Sequence, residues 1–524
     1  MSGSRELVAA LSRPETYPGG RAGVDVRETH ISYVFLAGEL AYKLKKPLVL
    51  PFLDYGTPER RRAMCREELR LNRRLAPEIY RAVRGVSVGS DGLARLLDED
   101  DTAAVDYVVE MRRYDERATL ASAAQRGEVE LPQIRAVAEA IARFHERAPA
   151  VPVDGRPAIV AERRFEENAH QLLGISERHQ QLGRVLALER FAHAYAGAHR
   201  AELERRAARG RIRDVHGDLR AEHVVLAPEL EIVDCVEFDS SLRALDTADD
   251  LAFLVVDLTA LGRGDLADAL IECYRAAGGD AGTDQLLGFY ASYRALVRAK
   301  VALVRSAQRD RDEQQGATDQ REAERLIELA ETFAWRARLP LVMVVCGVPA
   351  SGKSHLAGAV ADASGLPWLR SDAIRKQLVG VDLANRAPAE AYRAEMNERT
   401  YAELGRRVAE AVENDRGAVV DGTFRRLQDR RAFAAELGDA VPVVFFECRA
   451  PLAILAQRAR RRDAGPDRLS DAGLQVVLGE SSSWEPLDEV AGDNHVVMRT
   501  DRAAADLLRE VSASLDDRLA RLAT

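Results

Sequence analysis

Residues 341–361 read LVMVVCGVPASGKSHLAGAVA. An apolar, β-branched run enters Gly347-x-x-x-x-Gly352-Lys353-Ser354, and a helix-periodic stretch leaves it. A strand–turn–helix of this kind is the context a phosphate-cradling loop requires. The loop Gly347, Val348, Pro349, Ala350, Ser351 and Gly352 turns backbone N–H groups inward, and the helix start at Lys353, Ser354 and His355 adds a favourable dipole. In such a loop Lys353 reaches the β- and γ-phosphates, and the Ser354 hydroxyl ligates magnesium. ATP and Mg2+ are therefore the expected ligands.

Beyond the loop, strands and helices alternate, which predicts a parallel sheet with crossover helices. The strand Ala418-Val419-Val420 ends in Asp421, the expected place for a magnesium-organising carboxylate. Leu369-Arg370-Ser371-Asp372-Ala373-Ile374-Arg375-Lys376 sits at the end of the second strand, facing where an acceptor would bind. Arg458, Arg461 and Arg462 follow the strand Val443–Glu447 on a helix, placed to close over a transferring phosphate or simply to face solvent. At these residues the region, about 340–490, resembles the small P-loop kinases that include polynucleotide kinase, zeta-toxin-like and gluconate-kinase-like proteins. The resemblance implies that Asp372, heading a D-x-x-R run, takes the proton of the acceptor hydroxyl. The other role open to Asp372 is that of a helix N-cap.

A second constellation lies upstream. Asp214-Val215-His216-Gly217-Asp218-Leu219-Arg220-Ala221-Glu222-His223 precedes Ile232-Val233-Asp234-Cys235-Val236-Glu237, and Asp246-Thr247-Ala248-Asp249-Asp250-Leu251-Ala252 follows. The run resembles the aminoglycoside phosphotransferase and choline-kinase-like families over about residues 25–300. That resemblance implies that Asp218 orients and deprotonates the acceptor, that Asp234 holds the metal, and that Asp250 is structural. Ala41-Tyr42-Lys43 then occupies the place of the phosphate-binding lysine strand, with Lys45 on the same face as an alternative. Glu68 is the expected partner of that lysine, with Glu67 nearly equal. Val109-Glu110-Met111 would lie against the adenine, and His145 reads as a packing histidine. Where these families carry Asn, this chain has His223. Imidazole suits manganese better than magnesium, so Mn2+ joins Mg2+ as an expected ion at this site.

Composition narrows the partners. The 524 residues carry a net charge of −9, with 25 basic and 28 acidic residues in 340–524, so neither half is basic enough to favour a large polyanion. A hydroxyl-bearing small molecule such as a sugar or nucleoside is the expected acceptor; an RNA or DNA 5′ end is the less favoured one. Only six lysines occur (Lys43, Lys45, Lys46, Lys300, Lys353, Lys376) among 75 basic residues. Where Arg dominates so strongly, a surviving Lys marks a place that wants an ammonium. The five scattered cysteines make no C-x-x-C pair, and no apolar run is long enough for a membrane helix. A cytoplasmic enzyme without membrane contact is expected.

The expected architecture is therefore multi-domain α/β. Residues 1–114 form the N-lobe and 115–304 the helical C-lobe of a two-lobed α+β kinase-like domain; 305–338 is a charged helical connector; 339–524 is an α/β P-loop kinase domain with a parallel sheet. Two working phosphotransfer sites are the favoured reading. A single P-loop kinase with an inactive kinase-like domain, and an ATP-binding regulatory or stress protein without turnover, remain alternatives.

Overall fold

The computed structural model describes residues 2–17, 23–50, 53–152, 157–175, 181–308, 313–438, 441–463 and 483–522. They divide into two units, Met1–Pro157 with Glu202–Ala295, and Ala158–Ala201 with Leu296–Thr524.

The first unit opens on a six-stranded sheet in the order Val24–Glu28, Ser32–Ala37, Leu40–Lys45, Asp106–Arg112, Tyr80–Val88, Ala94–Leu97, with neighbouring strands antiparallel. Ser32–Ala37 and Leu40–Lys45 form the expected hairpin, whose turn puts Gly38 at φ 62°. Alternation along Leu40–Lys45 sends Lys43 and Lys45 to one face and Tyr42 and Leu44 to the other. The helix Pro58–Asn72 starts at a Thr57 cap that accepts from the Arg60 N–H. Its buried positions Arg61, Cys65, Glu68 and Asn72 repeat at helical spacing, so Glu68 lies on its inner face. A mainly helical lobe follows, including Leu131–Arg147, Thr247–Ala260 and Gly264–Ala276.

The second unit is a five-stranded sheet in the order Trp368–Arg370, Gly417–Asp421, Leu341–Cys346, Val443–Arg449, His495–Arg499, all parallel. Every residue of the central strand Leu341–Cys346 is buried, as a parallel strand covered on both faces must be. Leu356, Val360, Leu507 and Val511 cover one face, and Tyr401, Leu404, Val408 and Phe433 cover the other. The chain thus joins an α+β unit to an α/β unit whose parallel sheet carries the phosphate loop, in keeping with the multi-domain α/β organisation expected.

The boundaries differ from the expected ones. The helices Pro157–Ile175, from Ala158 on, and Leu182–Ala198 group with the second unit, as does the connector helix Glu313–Ala337. Specific pairs account for this: Arg184 forks onto Glu331 at 2.8 and 2.6 Å, and Arg338 forks onto Asp516 at 2.8 and 3.0 Å. Among the described residues no helix is long and apolar enough to cross a membrane.

Candidate active sites

In the first unit, Lys43 Nζ lies 2.7 Å from Asp234 Oδ1 and 2.8 Å from Glu68 Oε1. Burial works against its charge, but the Asp234 and Glu68 carboxylates outweigh that and hold its pKa well above the usual lysine range. The Lys43 ammonium in turn holds Asp234 well below the usual carboxylate range, against burial, with His223 adding to the effect. Asp234 adopts φ 65°, in the left-handed region, and its N–H donates to the Tyr80 hydroxyl at 3.2 Å. A non-glycine residue there costs about 1–3 kcal/mol and persists where surrounding contacts fix it, as at functional sites.

The two lysines left open by the sequence separate here. Lys45 is fully buried, 2.7 Å from Glu68 Oε2 and bonded to Glu237, with Tyr55 beside it. Lys43 keeps 13% of its side chain exposed and reaches Asp234. Glu68 serves both lysines, whereas Glu67 pairs with Arg70 at 2.6 Å and faces Arg243 at 3.6 Å. Glu110 pairs with Tyr42 across the sheet and with the Arg84 side chain at 3.0 Å, so strand alternation sends its side chain to the face away from Lys43. Met111, opposite Ala41, does share the lysine face and is buried there.

The His216-Gly217-Asp218 loop hangs on Asp250. Asp250 Oδ1 accepts from the Gly217 N–H at 2.8 Å, and Oδ2 accepts from the His216 N–H at 3.2 Å and lies 3.0 Å from His145 Nε2. His145 Nδ1 in turn lies 2.8 Å from the Tyr274 hydroxyl, so both residues are structural braces. Gly217 sits at φ 83°, and a Cβ there would meet the Leu242 carbonyl at 2.8 Å. His216 Nε2 donates to the Val233 carbonyl at 3.0 Å, while its Nδ1 accepts from the Asp218 N–H at 3.3 Å. That pattern fixes the neutral ring, and burial holds its pKa below the usual histidine range. Asp218 remains about one-third exposed. His223 donates from Nδ1 to the Asp218 carbonyl at 2.8 Å, leaving Nε2 3.7 Å from Asp234 Oδ2. Its free nitrogen and the Asp234 carboxylate form a mixed N/O donor set, which fits a divalent ion that tolerates imidazole.

In the second unit the loop 347–352 leaves the central strand with Gly347 at φ 140°, Ala350 at φ 66° and Gly352 at φ 94°. A Cβ on Gly347 would sit 2.6 Å from the Cys448 carbonyl, so the close approach itself demands glycine. Lys353 opens the helix Lys353–Ser364, with Ser354 and His355 in its first turn. Asp421 is buried at the end of the neighbouring strand, paired in register with Val345. Ser354 and Asp421 offer oxygen donors only, which fits magnesium.

Arg458 is corrected from a lid to a brace. Its Nη2 donates to the Thr500 carbonyl at 2.6 Å and its Nη1 to the Ser351 carbonyl at 3.3 Å, so its fork is already engaged behind the loop. Arg461 is exposed, and the Arg462 side chain lies outside the described residues. Asp372 stands in the first turn of the helix Ser371–Leu378, whose N-cap position is Arg370, so Asp372 is not the cap. Lys376 is buried and donates to the Leu383 carbonyl at 2.8 Å. Sequence reading missed Tyr55 and Tyr80, which carry no local signal, and Thr500, whose hydroxyl bonds the Ser351 carbonyl.

The family model for the AAA domain (AAA_33) matches residues 342–487, and this region is a P-loop nucleotide-binding domain. Among solved structures, the chain is similar to a gluconokinase from Sinorhizobium meliloti 1021, with 23% identity, covering 35% of this chain and 95% of that one, at a TM-score of 0.27. It is also similar to a choline/ethanolamine kinase family protein from Mesorhizobium loti, with 15% identity, covering 64% and 99%, at a TM-score of 0.39. The Mycobacterium tuberculosis protein described as "Uncharacterized protein Rv2004c" is 32% identical over 473 residues, 88% of this chain and 91% of its own length. Over that span the two share both units, and the chain belongs to the same family as Rv2004c.

Proposed function

We propose that the chain is an ATP-dependent phosphotransferase with two nucleotide sites, each passing the γ-phosphoryl group to a hydroxyl of a small molecule. One observation carries the reading. Each unit carries, among its own residues, a lysine for the phosphates and a carboxylate for a metal: Asp234 beside Lys43, and Asp421 ending the strand next to the one that feeds the Lys353 loop. Phosphoryl transfer needs little else from a protein, because positioning and charge neutralisation supply most of the catalysis.

The residue roles follow. Lys43, steadied by Glu68, leaves Asp234 for the α- and β-phosphates of an incoming nucleotide. Asp218, held in place by the Asp250-braced loop, receives the acceptor proton. In the second unit the loop amides and Lys353 grip the phosphates, and Asp372 receives the proton. Magnesium, when bound, offsets the charge that builds on the β- and γ-phosphates. His223 favours manganese as a substitute at the first site.

The test is magnesium-dependent ADP release and acceptor phosphorylation by the full chain across sugars, nucleosides, aminoglycosides and RNA 5′ ends. Asp218→Asn and Asp372→Asn should each abolish transfer to a different acceptor. If Asp218→Asn changes nothing with any acceptor, the first unit does not catalyse and a single P-loop kinase is left. ATP binding without turnover in any arm would leave a nucleotide-binding regulator.

A further inference from the structure

Arg370 ends the edge strand Trp368–Arg370, one residue before the helix that carries Asp372. Its guanidinium lies over the Trp368 ring, 5.0 Å from the centroid. The ring backs onto Gly358, where a Cβ would stand 3.4 Å away, yet Trp368 remains 40% exposed. On the other side, Arg370 Nε is 3.9 Å from Asp421 Oδ2, beyond hydrogen-bond reach. Nε is buried and has no hydrogen-bond partner. A buried donor of a charged group left without a partner is destabilising, so such a group calls for an explanation. Nearby, Arg375 bonds the Ala391 carbonyl at 2.7 Å and Asn397 at 2.6 Å through Nη1, although its Nε too is buried without a partner, and Arg430 bonds the Phe424 carbonyl at 2.9 Å. Arg370 is held flat by an aromatic ring at the carboxyl edge of the sheet, where ligands of open α/β sheets bind.

Strand order decides which ligand it faces. The phosphate loop follows the central strand Leu341–Cys346, Asp421 ends the next strand, and Arg370 ends the one beyond. Two strand spacings, about 10 Å, separate the ends of the outer and central strands. Arg370 is thus on the far side of the metal-site carboxylate from the triphosphate, beside the acceptor base. We infer that Arg370 receives an oxyanion of the acceptor, so that the substrate of the second unit is a hydroxy compound bearing a carboxylate or a phosphate ester. This deepens the reading above and rests on it for the transfer step. There, the acceptor hydroxyl oxygen forms the new bond to the γ-phosphorus, the bond from that phosphorus to the β–γ bridging oxygen breaks, ADP leaves, and the hydroxyl proton passes to Asp372. Arg370 takes no part in bond making; it positions the acceptor through a planar, charge-assisted fork that an ammonium would match poorly.

The experiment uses the full chain saturated with a non-hydrolysable ATP analogue and magnesium, titrated by calorimetry with matched probes. These are gluconate against glucitol, and glucose 6-phosphate against glucose. The anionic member of at least one pair should bind roughly ten- to a hundred-fold more tightly, the range of a charged hydrogen bond. Arg370→Gln should erase that preference while leaving analogue binding unchanged, and Arg370→Lys should restore part of it. The pair that responds tells a carboxylate from a phosphate ester. Equal binding of both members of both pairs would overturn the inference, as would an Arg370→Gln change that leaves the preference intact. A parallel ADP-release assay separates the two readings: an Arg370-dependent preference without transfer supports the subsite and sinks the kinase. Transfer with an unchanged acceptor KM but a lower kcat for all acceptors in Arg370→Gln would instead put Arg370 on the transferring phosphoryl group and contradict the inference.

Discussion

Lys43 Nζ and Asp234 Oδ1 stand 2.7 Å apart, so the two opposite charges neutralise each other. Lys45, two residues along the same strand face, is committed differently: with Glu68 and Glu237 it forms a fully buried ion cluster. Removing Lys45 strands the buried Glu237 carboxylate and leaves Glu68 with Lys43 alone. Lys45→Ala should therefore lower the unfolding free energy of the first unit by about 3–5 kcal/mol. Lys43→Ala should cost clearly less, since its partner Asp234 opens to solvent and Glu68 retains Lys45. Denaturant titrations of the two variants check this, and equal losses would contradict the division of labour.

Asp250 accepts both the His216 and Gly217 N–H groups. Asp250→Ala should destabilise the first unit by several kcal/mol, on the order of 3–5, because it strips a buried charge from its donors. Gly217→Ala should also be costly, from a left-handed backbone together with a 2.8 Å clash on the Leu242 carbonyl. Thermal unfolding monitored with both variants measures these losses.

His223 turns Nε2 toward Asp234 at 3.7 Å. If that nitrogen joins the metal shell, transfer by the first unit should favour manganese over magnesium, and His223→Asn should shift the preference back toward magnesium. Rates measured with each ion decide it. Activity retained with no change in ion preference would place His223 outside the shell.

Asp372→Asn should leave ATP affinity nearly intact while transfer by the second unit falls roughly 10²- to 10⁴-fold, as expected for a lost proton acceptor. Arg458→Ala should do the reverse, weakening ATP binding because the loop carbonyl of Ser351 loses its brace. Nucleotide affinity and transfer rate measured side by side separate the two roles. An unchanged rate in Asp372→Asn would reduce Asp372 to a first-turn helix residue.

The phosphate loop and the five-strand parallel sheet were legible because strand, turn and helix are contiguous in sequence and each glycine has a steric reason. The choice between Lys43 and Lys45 was not. Period-two alternation puts both on one face, and the residues that tell them apart, Tyr55 and Glu237, arrive from distant segments. Arg458 misled for a related reason: an arginine on a charged helix reads alike whether its fork meets solvent or the loop carbonyls. Along Val109-Glu110-Met111 the strand sends the Glu110 side chain to the opposite face from Met111, a split that follows from alternation once the strand is placed. Helical periodicity likewise showed that Pro157–Ile175 and Leu182–Ala198 are helical without revealing which unit they pack with, since that is settled by forks such as Arg184 on Glu331.

The central claim is that one chain holds two independent nucleotide sites, and calorimetry with a non-hydrolysable ATP analogue and magnesium counts them directly. The unmodified protein should bind two moles per mole of chain, Lys353→Ala one, Lys43→Ala one, and the double variant none. A single site in the unmodified protein, lost in Lys353→Ala and unaffected by Lys43→Ala, would contradict the account and leave the first unit as a kinase fold without a nucleotide.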